Sequence, residues 1–191
     1  MDGFGHPWFI LGGWAIDLFI GRVTRAHSDR EIGIFRHHQQ EFRRHIGDKA
    51  LFKAITGPDG GMWVEWKEQE YIELPLHQIL IRPKGAEVPV GDWQAMPEEF
   101  EIFLNEADGG LWRFRRNPAI TRPASEIIMQ SESGLPILTP EIQLLYKAKH
   151  HRAKDELDFT AMLPLLNDVQ RTWLKSALEK THPGDRWVGL L

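Results

Sequence analysis

The stretch FILGGWAIDLFIGRVTRAHSDREIGIF, residues Phe9–Phe35, decides the fold of this chain. Its first three residues form a short apolar run that ends at the glycine pair Gly12 and Gly13, as a buried strand ends at a tight turn. The residues that follow favour a helix of one or two turns, and Gly21 closes it as a glycine after a helix C-terminus does. The stretch therefore begins with a strand, a glycine turn and a short helix.

Two acids lead into a second predicted strand at the end of this stretch. The segment Asp29–Phe35 alternates in character, and side chains two positions apart on a strand share a face, so Asp29 and Glu31 point the same way. Neighbouring carboxylates repel each other unless a cation lies between them, and Mg²⁺ prefers oxygen ligands. Gly12 and Gly13 present a bare backbone at a helix N-terminus, where free N–H groups and the helix dipole favour phosphate. A phosphate-binding turn followed by metal-binding carboxylates is the layout of a nucleotidyl transfer site.

These residues resemble a known family. Gly12-Gly13, followed after fifteen residues by Asp29-x-Glu31, is similar to the G-G…D-x-[D/E] signature of the DNA polymerase β-type nucleotidyltransferase superfamily. The longer string GGWAIDLFIGRVTRAHSD resembles the aminoglycoside and lincosamide nucleotidyltransferases, although Glu31 stands where they usually carry Asp. The resemblance implies an α+β nucleotidyltransferase fold, in which a mixed β-sheet is flanked by helices and followed by a C-terminal helical lobe.

The resemblance also implies a reaction. A nucleoside monophosphate would move from a nucleoside triphosphate, ATP, to a hydroxyl of a small-molecule acceptor such as an aminoglycoside-like antibiotic, with Mg²⁺ as the cofactor. Asp29 and Glu31 would bind the metal. The family has a third carboxylate on a later strand, which would complete the metal site or accept the proton of the acceptor. Glu73 in YIELPLHQILI is the candidate for it, and an ordinary exposed strand acid is the alternative.

Nucleotide contacts follow from the same resemblance. Gly12, Gly13 and Arg25 would bind the nucleotide, with Lys147 or Lys149 reaching the leaving phosphates from the helical lobe. Surface positions without a ligand are the alternative for Arg25 and for both lysines. A basic acceptor would also need acids beyond the metal ligands, and five are available: Glu68, Glu70, Asp108, Asp155 and Asp158.

Two other functions fit the same motif. A toxin-type nucleotidyltransferase would modify a protein or an RNA, and a non-catalytic relative would bind nucleotide without transferring it. Fold alone does not fix the substrate, so the sequence separates these alternatives poorly.

Composition narrows the class of protein. The chain has 191 residues, a net charge of −4 and scattered basic residues, which disfavours extensive nucleic-acid binding. It has no cysteine and no apolar run of membrane-spanning length, so we expect a cytoplasmic protein without a membrane partner. Composition does not indicate an oligomeric state.

The rest of the chain reads as strands followed by helices. Apolar runs predict strands at Leu51–Ile55, Met62–Trp66, Tyr71–Arg82, Phe100–Leu104, Leu111–Phe114 and Ile127–Met129, with a polar helix over His37–Ile46. Thr139-Pro140-Glu141 is typical of a helix start, and two further helices follow at Lys154–Leu166 and Val169–Lys180. We therefore expect a nucleotidyltransferase core at residues 1–136 and a helical lobe at residues 137–191.

Overall fold

The computed structural model describes residues 1–57, 60–89 and 99–191. These residues divide into two compact units. The first unit comprises Met1–Phe9 and His27–Ala107, and the second comprises Ile10–Ala26 and Asp108–Leu191. This division differs from the predicted boundary at residue 136, because the segment that holds the glycine pair belongs to the same unit as the C-terminal helices.

The helices and strands of the described residues follow the chain in this order: β1 (Trp8–Ile10), α1 (Gly12–Ile20), β2 (Glu31–Phe35), α2 (Gln39–Ile46), β3 (Ala50–Gly57), β4 (Gly60–Glu65), β5 (Gln78–Arg82), β6 (Phe100–Asp108), β7 (Leu111–Arg113), β8 (Thr121–Pro123), β9 (Ile128–Gln130), β10 (Pro136–Leu138), α3 (Pro140–Lys147), α4 (Ala153–Met162) and α5 (Asp168–Thr181).

The first unit is built on a mixed sheet with strand order β4-β3-β5-β6-β2-β1. β2 and β6 are parallel, whereas β6, β5, β3 and β4 pair antiparallel in turn. Alternate residues of these strands, such as Ile34, Ile79 and Ile102, join Phe42 of α2 and Trp66 in one buried apolar cluster. The period-two pattern of the sequence therefore sets which face of the sheet is covered.

The opposite face of β2 is crowded at Gly33. A Cβ atom at this position would lie 2.3 Å from the ring of Phe9, which is fully buried. Real Cβ atoms do not approach other atoms so closely, so glycine is required here because of the aromatic ring rather than because of its backbone angle. The contact between Gly33 and Phe9 therefore fixes the position of β2. Glu31 lies two residues before Gly33 on the same face of this strand.

The second unit is mainly helical. α1 contacts α3 and α4, and α3 contacts α5. Ile10 of β1 pairs in parallel with Ile137 of β10, which is antiparallel to β9, and β7 pairs with β8. Near the C-terminus the ring of Trp187 is buried and stacks on Phe159 of α4 at 4.2 Å. The unit therefore packs its helices around aromatic and aliphatic side chains from several segments.

A histidine joins two parts of this unit just before α4. The ring nitrogens of His151 lie 2.7 Å from a carboxylate oxygen of Glu156 and 2.8 Å from one of Asp185. Burial lowers the pKa of His151, but the hydrogen bonds to Glu156 and Asp185 outweigh it and hold the pKa above its ordinary value. The protonated ring therefore contributes to folding.

Most of the helix and strand predictions agree with the structure. α3 begins after Thr139 with Pro140 in its first turn, and α4 ends at Met162, just before Pro164. The strand prediction over Tyr71–Arg82 is wrong for its first part, because β5 begins only at Gln78. Among the helices described, none is both long and apolar enough to cross a membrane.

Candidate active site

Two glutamates lie side by side at the start of the parallel strand pair in the first unit. Glu31 of β2 is in register with Glu101 of β6. Neighbouring strands lie about 4.8 Å apart, and partners in register place their side chains on the same face. The two carboxylates are therefore neighbours on one face of the sheet.

Asp29 acts on the same group of carboxylates from the residues that precede β2. It lies outside the strand, because β2 begins at Glu31, two residues later than predicted. Ser28 donates a hydrogen bond from its hydroxyl to Asp29 Oδ1 at 2.9 Å. The negative charge of Asp29 is one of the causes that raise the pKa of Glu101.

Glu101 has an environment suited to a base. Burial raises its pKa above the ordinary value, and the negative charge of Asp29 adds to the rise. Gln78 of β5 opposes the shift by donating a hydrogen bond to Glu101 Oε2 at 2.6 Å. A carboxylate with a raised pKa holds a proton more strongly, which is a property of general bases near neutral pH.

The sequence assigned the third carboxylate to Glu73, and the structure places that residue elsewhere. Glu73 is exposed in the turn that precedes β5, and its carbonyl accepts the N–H of Leu76 at 3.0 Å. It does not stand on a strand beside β2. Glu101 does, and the signal for it was present in FEIFL, which the sequence predicted as a strand. The missing information was the register between β2 and β6.

Carboxylate oxygens fit Mg²⁺ by their chemistry. Within the described ranges, no group of three or more His, Cys, Asp or Glu side chains is arranged to hold a metal ion. Mg²⁺ needs no such group, because it keeps several waters and is commonly held by one or two carboxylates together with substrate phosphates. Asp29 and Glu31 with a bound triphosphate would satisfy that requirement, with Glu101 beside them.

The N-terminus of α1 in the second unit is held by a glutamine that the sequence did not single out. The N–H of Gly12 donates to Gln143 Oε1 of α3 at 3.0 Å, and both residues are buried. The N–H groups of the first turn have no acceptor within the helix, so Gly13, which is half-buried, is the next donor at this end. Gly21 adopts a left-handed conformation at the other end, with φ 81°, as predicted.

Asp17 anchors the loop that leaves α1. Its buried carboxylate accepts the N–H of Thr24 at 3.0 Å and also the Thr24 hydroxyl. Arg22 donates its N–H to the Asp17 carbonyl at 3.1 Å. These bonds shape the segment that leads to Arg25.

Arg25 and Lys147 are both paired with Asp158 of α4. Arg25 donates to the two Asp158 oxygens through Nε and Nη2, each at 2.9 Å, and Lys147 Nζ lies 2.7 Å from Asp158 Oδ2. Lys147 also contacts Asp155 at 3.4 Å. Burial raises the pKa values of the two aspartates, but the hydrogen bonds and charges of their basic partners outweigh it and lower both.

This ion cluster removes two of the acids that were predicted to be available to a basic acceptor. Asp155 and Asp158 are almost fully buried and already neutralise cations, so they do not offer a surface to a basic acceptor. The two lysines predicted to bind nucleotide differ in their burial. Lys147 is buried in the cluster, whereas Lys149 is exposed and lines a basic cavity of the same unit.

Paired carboxylates on a mixed sheet and a glycine turn that opens a helix are typical of nucleotidyltransferases. The family model for aminoglycoside-2''-adenylyltransferase matches residues 1–162, and the chain belongs to that family. The resemblance read from the sequence, the predicted fold class and the predicted enzyme class are thereby confirmed. No sequence among the curated proteins matches the chain.

Solved structures show the same fold at low sequence identity. The lincosamide antibiotic adenylyltransferase LnuA, bound to lincomycin, is 16% identical with a TM-score of 0.50, over 84% of this chain and 87% of that one. ANT(2")-Ia in complex with adenylyl-2"-tobramycin is 15% identical with a TM-score of 0.50, over 94% and 91%. A solution structure of ANT(2'')-Ia is 15% identical with a TM-score of 0.53, over 99% and 88%.

Proposed function

We propose that this chain transfers the adenylyl group of ATP to a hydroxyl of an aminoglycoside-like small molecule, with Mg²⁺ as cofactor. The observation that carries the proposal is the register of Glu31 with Glu101, with Asp29 close enough to act on Glu101. Neighbouring carboxylates repel each other unless a cation or a proton lies between them, and this reaction supplies both. The family to which the chain belongs is named for the same chemistry.

In the proposed reaction the acceptor hydroxyl attacks the α-phosphorus of ATP. The new bond joins the acceptor oxygen to that phosphorus, the bond to the bridging oxygen of the β-phosphate breaks, and pyrophosphate leaves. Glu101 accepts the hydroxyl proton, since burial raises its pKa and a raised pKa makes a carboxylate a better base. Asp29 and Glu31 would hold Mg²⁺, which when bound would neutralise phosphate charge.

Phosphate binding is proposed for the N-terminus of α1. Gly13 offers its N–H to a phosphate, because a helix N-terminus carries a partial positive charge and unpaired donors. The N–H of Gly12 is taken by Gln143, so we propose that Gly12 serves mainly to position this turn. The remaining nucleotide-binding proposals concern Arg25, Lys147 and Lys149.

Arg25 and Lys147 are proposed to support nucleotide binding while they remain paired with Asp158. Both already bond Asp158, so direct contact with a phosphate would require them to exchange this carboxylate for the ligand. Without that exchange, their proposed contribution is to hold the loop after α1 and α3 in place through Asp158. Lys149 is exposed and needs no such exchange.

The acceptor is tested by product analysis. The full chain is incubated with ATP, Mg²⁺ and, separately, an aminoglycoside such as tobramycin or a lincosamide such as lincomycin. Mass spectrometry then reports adenylylated acceptor. We expect product with the aminoglycoside and little with the lincosamide. Product with lincomycin alone, or modification of added RNA or protein instead, would contradict the proposed acceptor class.

A further inference from the structure

A basic cavity of about 360 Å³ lies within the second unit, and Lys149 is the lining residue that it shares with the proposed nucleotide contacts. It is formed by the segment after β7, by Lys149 after α3 and by the C-terminal end of α5. Four cations line it, and none of its described lining residues is an acid: Arg115, Arg116, Lys149 and Lys180. His182 completes the wall.

Two of these cations have an ordinary structural explanation. Lys180 lies in the last turn of α5 and Lys149 follows α3, and cations are favourable near helix C-termini. That explanation does not cover Arg115 and Arg116, which belong to no helix. It also does not explain why four cations line one cavity in a chain whose net charge is −4.

Arg116 is fixed at the wall of the cavity. Its Nη1 donates to the Tyr146 carbonyl at 2.7 Å, and its guanidinium lies 5.3 Å from the centre of the Tyr146 ring. Partial burial lowers the pKa of Arg116, and the positive charges of Arg115 and Arg152 lower it further. Tyr146 opposes this shift and holds the guanidinium at the wall of the cavity.

His182 adds an unused polar atom. Its Nε2 is buried and has no hydrogen-bond partner among the described residues. Burial lowers the pKa of His182, and Arg116 and His151 lower it further, against the opposing effect of Asp185. The Asp185 carboxylate is itself engaged by the His151 ring and by the N–H of Trp187. A buried polar atom without a partner indicates a place that a ligand or a water completes.

We propose that this cavity binds a small polyphosphate group, either as free inorganic polyphosphate or as the phosphate chain of a nucleotide. Guanidinium groups match phosphate oxygens with paired hydrogen bonds, and lysines add compact charge. A cavity of about 360 Å³ admits a di- or triphosphate and excludes a duplex nucleic acid. Lys149, which the sequence assigned to nucleotide binding, contacts phosphate here.

Calorimetric titration of the full chain with inorganic tripolyphosphate tests the proposal. EDTA is present throughout, so that Mg²⁺-dependent binding at the carboxylates does not contribute. We expect saturable binding by the wild type. Lys180→Ala and Arg115→Ala should each weaken it about tenfold or more, because each removes charge-assisted hydrogen bonds. The control is Lys175→Ala, five residues earlier on α5, which should change the dissociation constant less than twofold.

The source of the phosphate is separated by a parallel titration with ATP in EDTA. Equal affinity for ATP and tripolyphosphate supports recognition of the phosphates alone, and tighter binding of ATP supports a nucleotide as the ligand. The proposal is overturned by an absence of saturable binding, by equal loss in the Lys175→Ala control, or by a single-stranded oligonucleotide that displaces tripolyphosphate at lower concentration. These results do not depend on adenylyl transfer, which requires Mg²⁺ and an acceptor.

Discussion

Replacing Gly33 by alanine tests how the sheet holds the carboxylates. The new Cβ would lie 2.3 Å from Phe9 Cε2, about 1.4 Å inside an ordinary carbon contact near 3.7 Å. The Phe9 ring is fully buried and has no free space to enter, so the ring or β2 must shift. Overpacking of this kind costs about 1–3 kcal/mol. For a chain of this size, that lowers Tm by roughly 2–4 °C for each kcal/mol.

The assay is urea unfolding followed by circular dichroism, with Gly5→Ala as the matched control. A Cβ at Gly5 meets nothing within 4 Å, so this variant should stay within about 0.5 kcal/mol of the wild type. A double-mutant cycle with Phe9→Ala identifies the cause, because the cost of Gly33→Ala should largely vanish once the ring is gone. An unchanged stability of Gly33→Ala, or the same cost in both backgrounds, would refute the assigned contact.

Three further predictions concern single side chains. Glu101→Gln should lower kcat by about 10²–10⁴-fold, whereas Glu73→Gln should leave kcat unchanged. The wild-type kcat should also fall as the pH drops through the raised pKa of Glu101, because the base becomes protonated. Steady-state rates measured across pH test both expectations. Asp158→Asn leaves Lys147 buried with a weakened partner and should cost about 3–5 kcal/mol in urea unfolding; a loss below 1 kcal/mol would contradict the cluster. The pKa of His151 is raised in the folded state, so its stabilisation is fully present below an unfolded pKa of about 6.5 and is lost as pH rises through the folded value; the stability deficit of His151→Gln should therefore shrink on going from pH 6 to alkaline pH.

Local signals accounted for much of the fold. Gly21 ends α1 and Pro140 opens α3 because the causes, a left-handed glycine and a proline without an N–H, lie in the residues themselves. The strand at Gln78–Arg82 was overextended toward Glu73, since the apolar residues before Pro75 read as strand although they belong to a turn.

The contents of the candidate site depended on contacts between distant segments. Glu101 lies beside Glu31 only because β6 pairs in parallel with β2, and a strand pattern does not reveal its partner or register. The same holds for the bond from Gly12 to Gln143, which joins residues 131 positions apart. The motif predicts Asp29 and Glu31 as metal-binding carboxylates, whereas the position of Glu101 beside Glu31 required the pairing of strands.

Magnesium-dependent release of pyrophosphate is the sharpest test of the proposal that this chain transfers the adenylyl group of ATP to an aminoglycoside. The full chain is supplied with ATP, Mg²⁺ and an aminoglycoside, and pyrophosphate and adenylylated acceptor are measured in the wild type and in Asp29→Asn, with circular dichroism confirming that both are folded. We expect equal amounts of pyrophosphate and adenylylated acceptor from the wild type and none without Mg²⁺. In Asp29→Asn the rate of product formation should fall by at least about 10²-fold. Full activity of Asp29→Asn, or turnover that persists in EDTA, would contradict it.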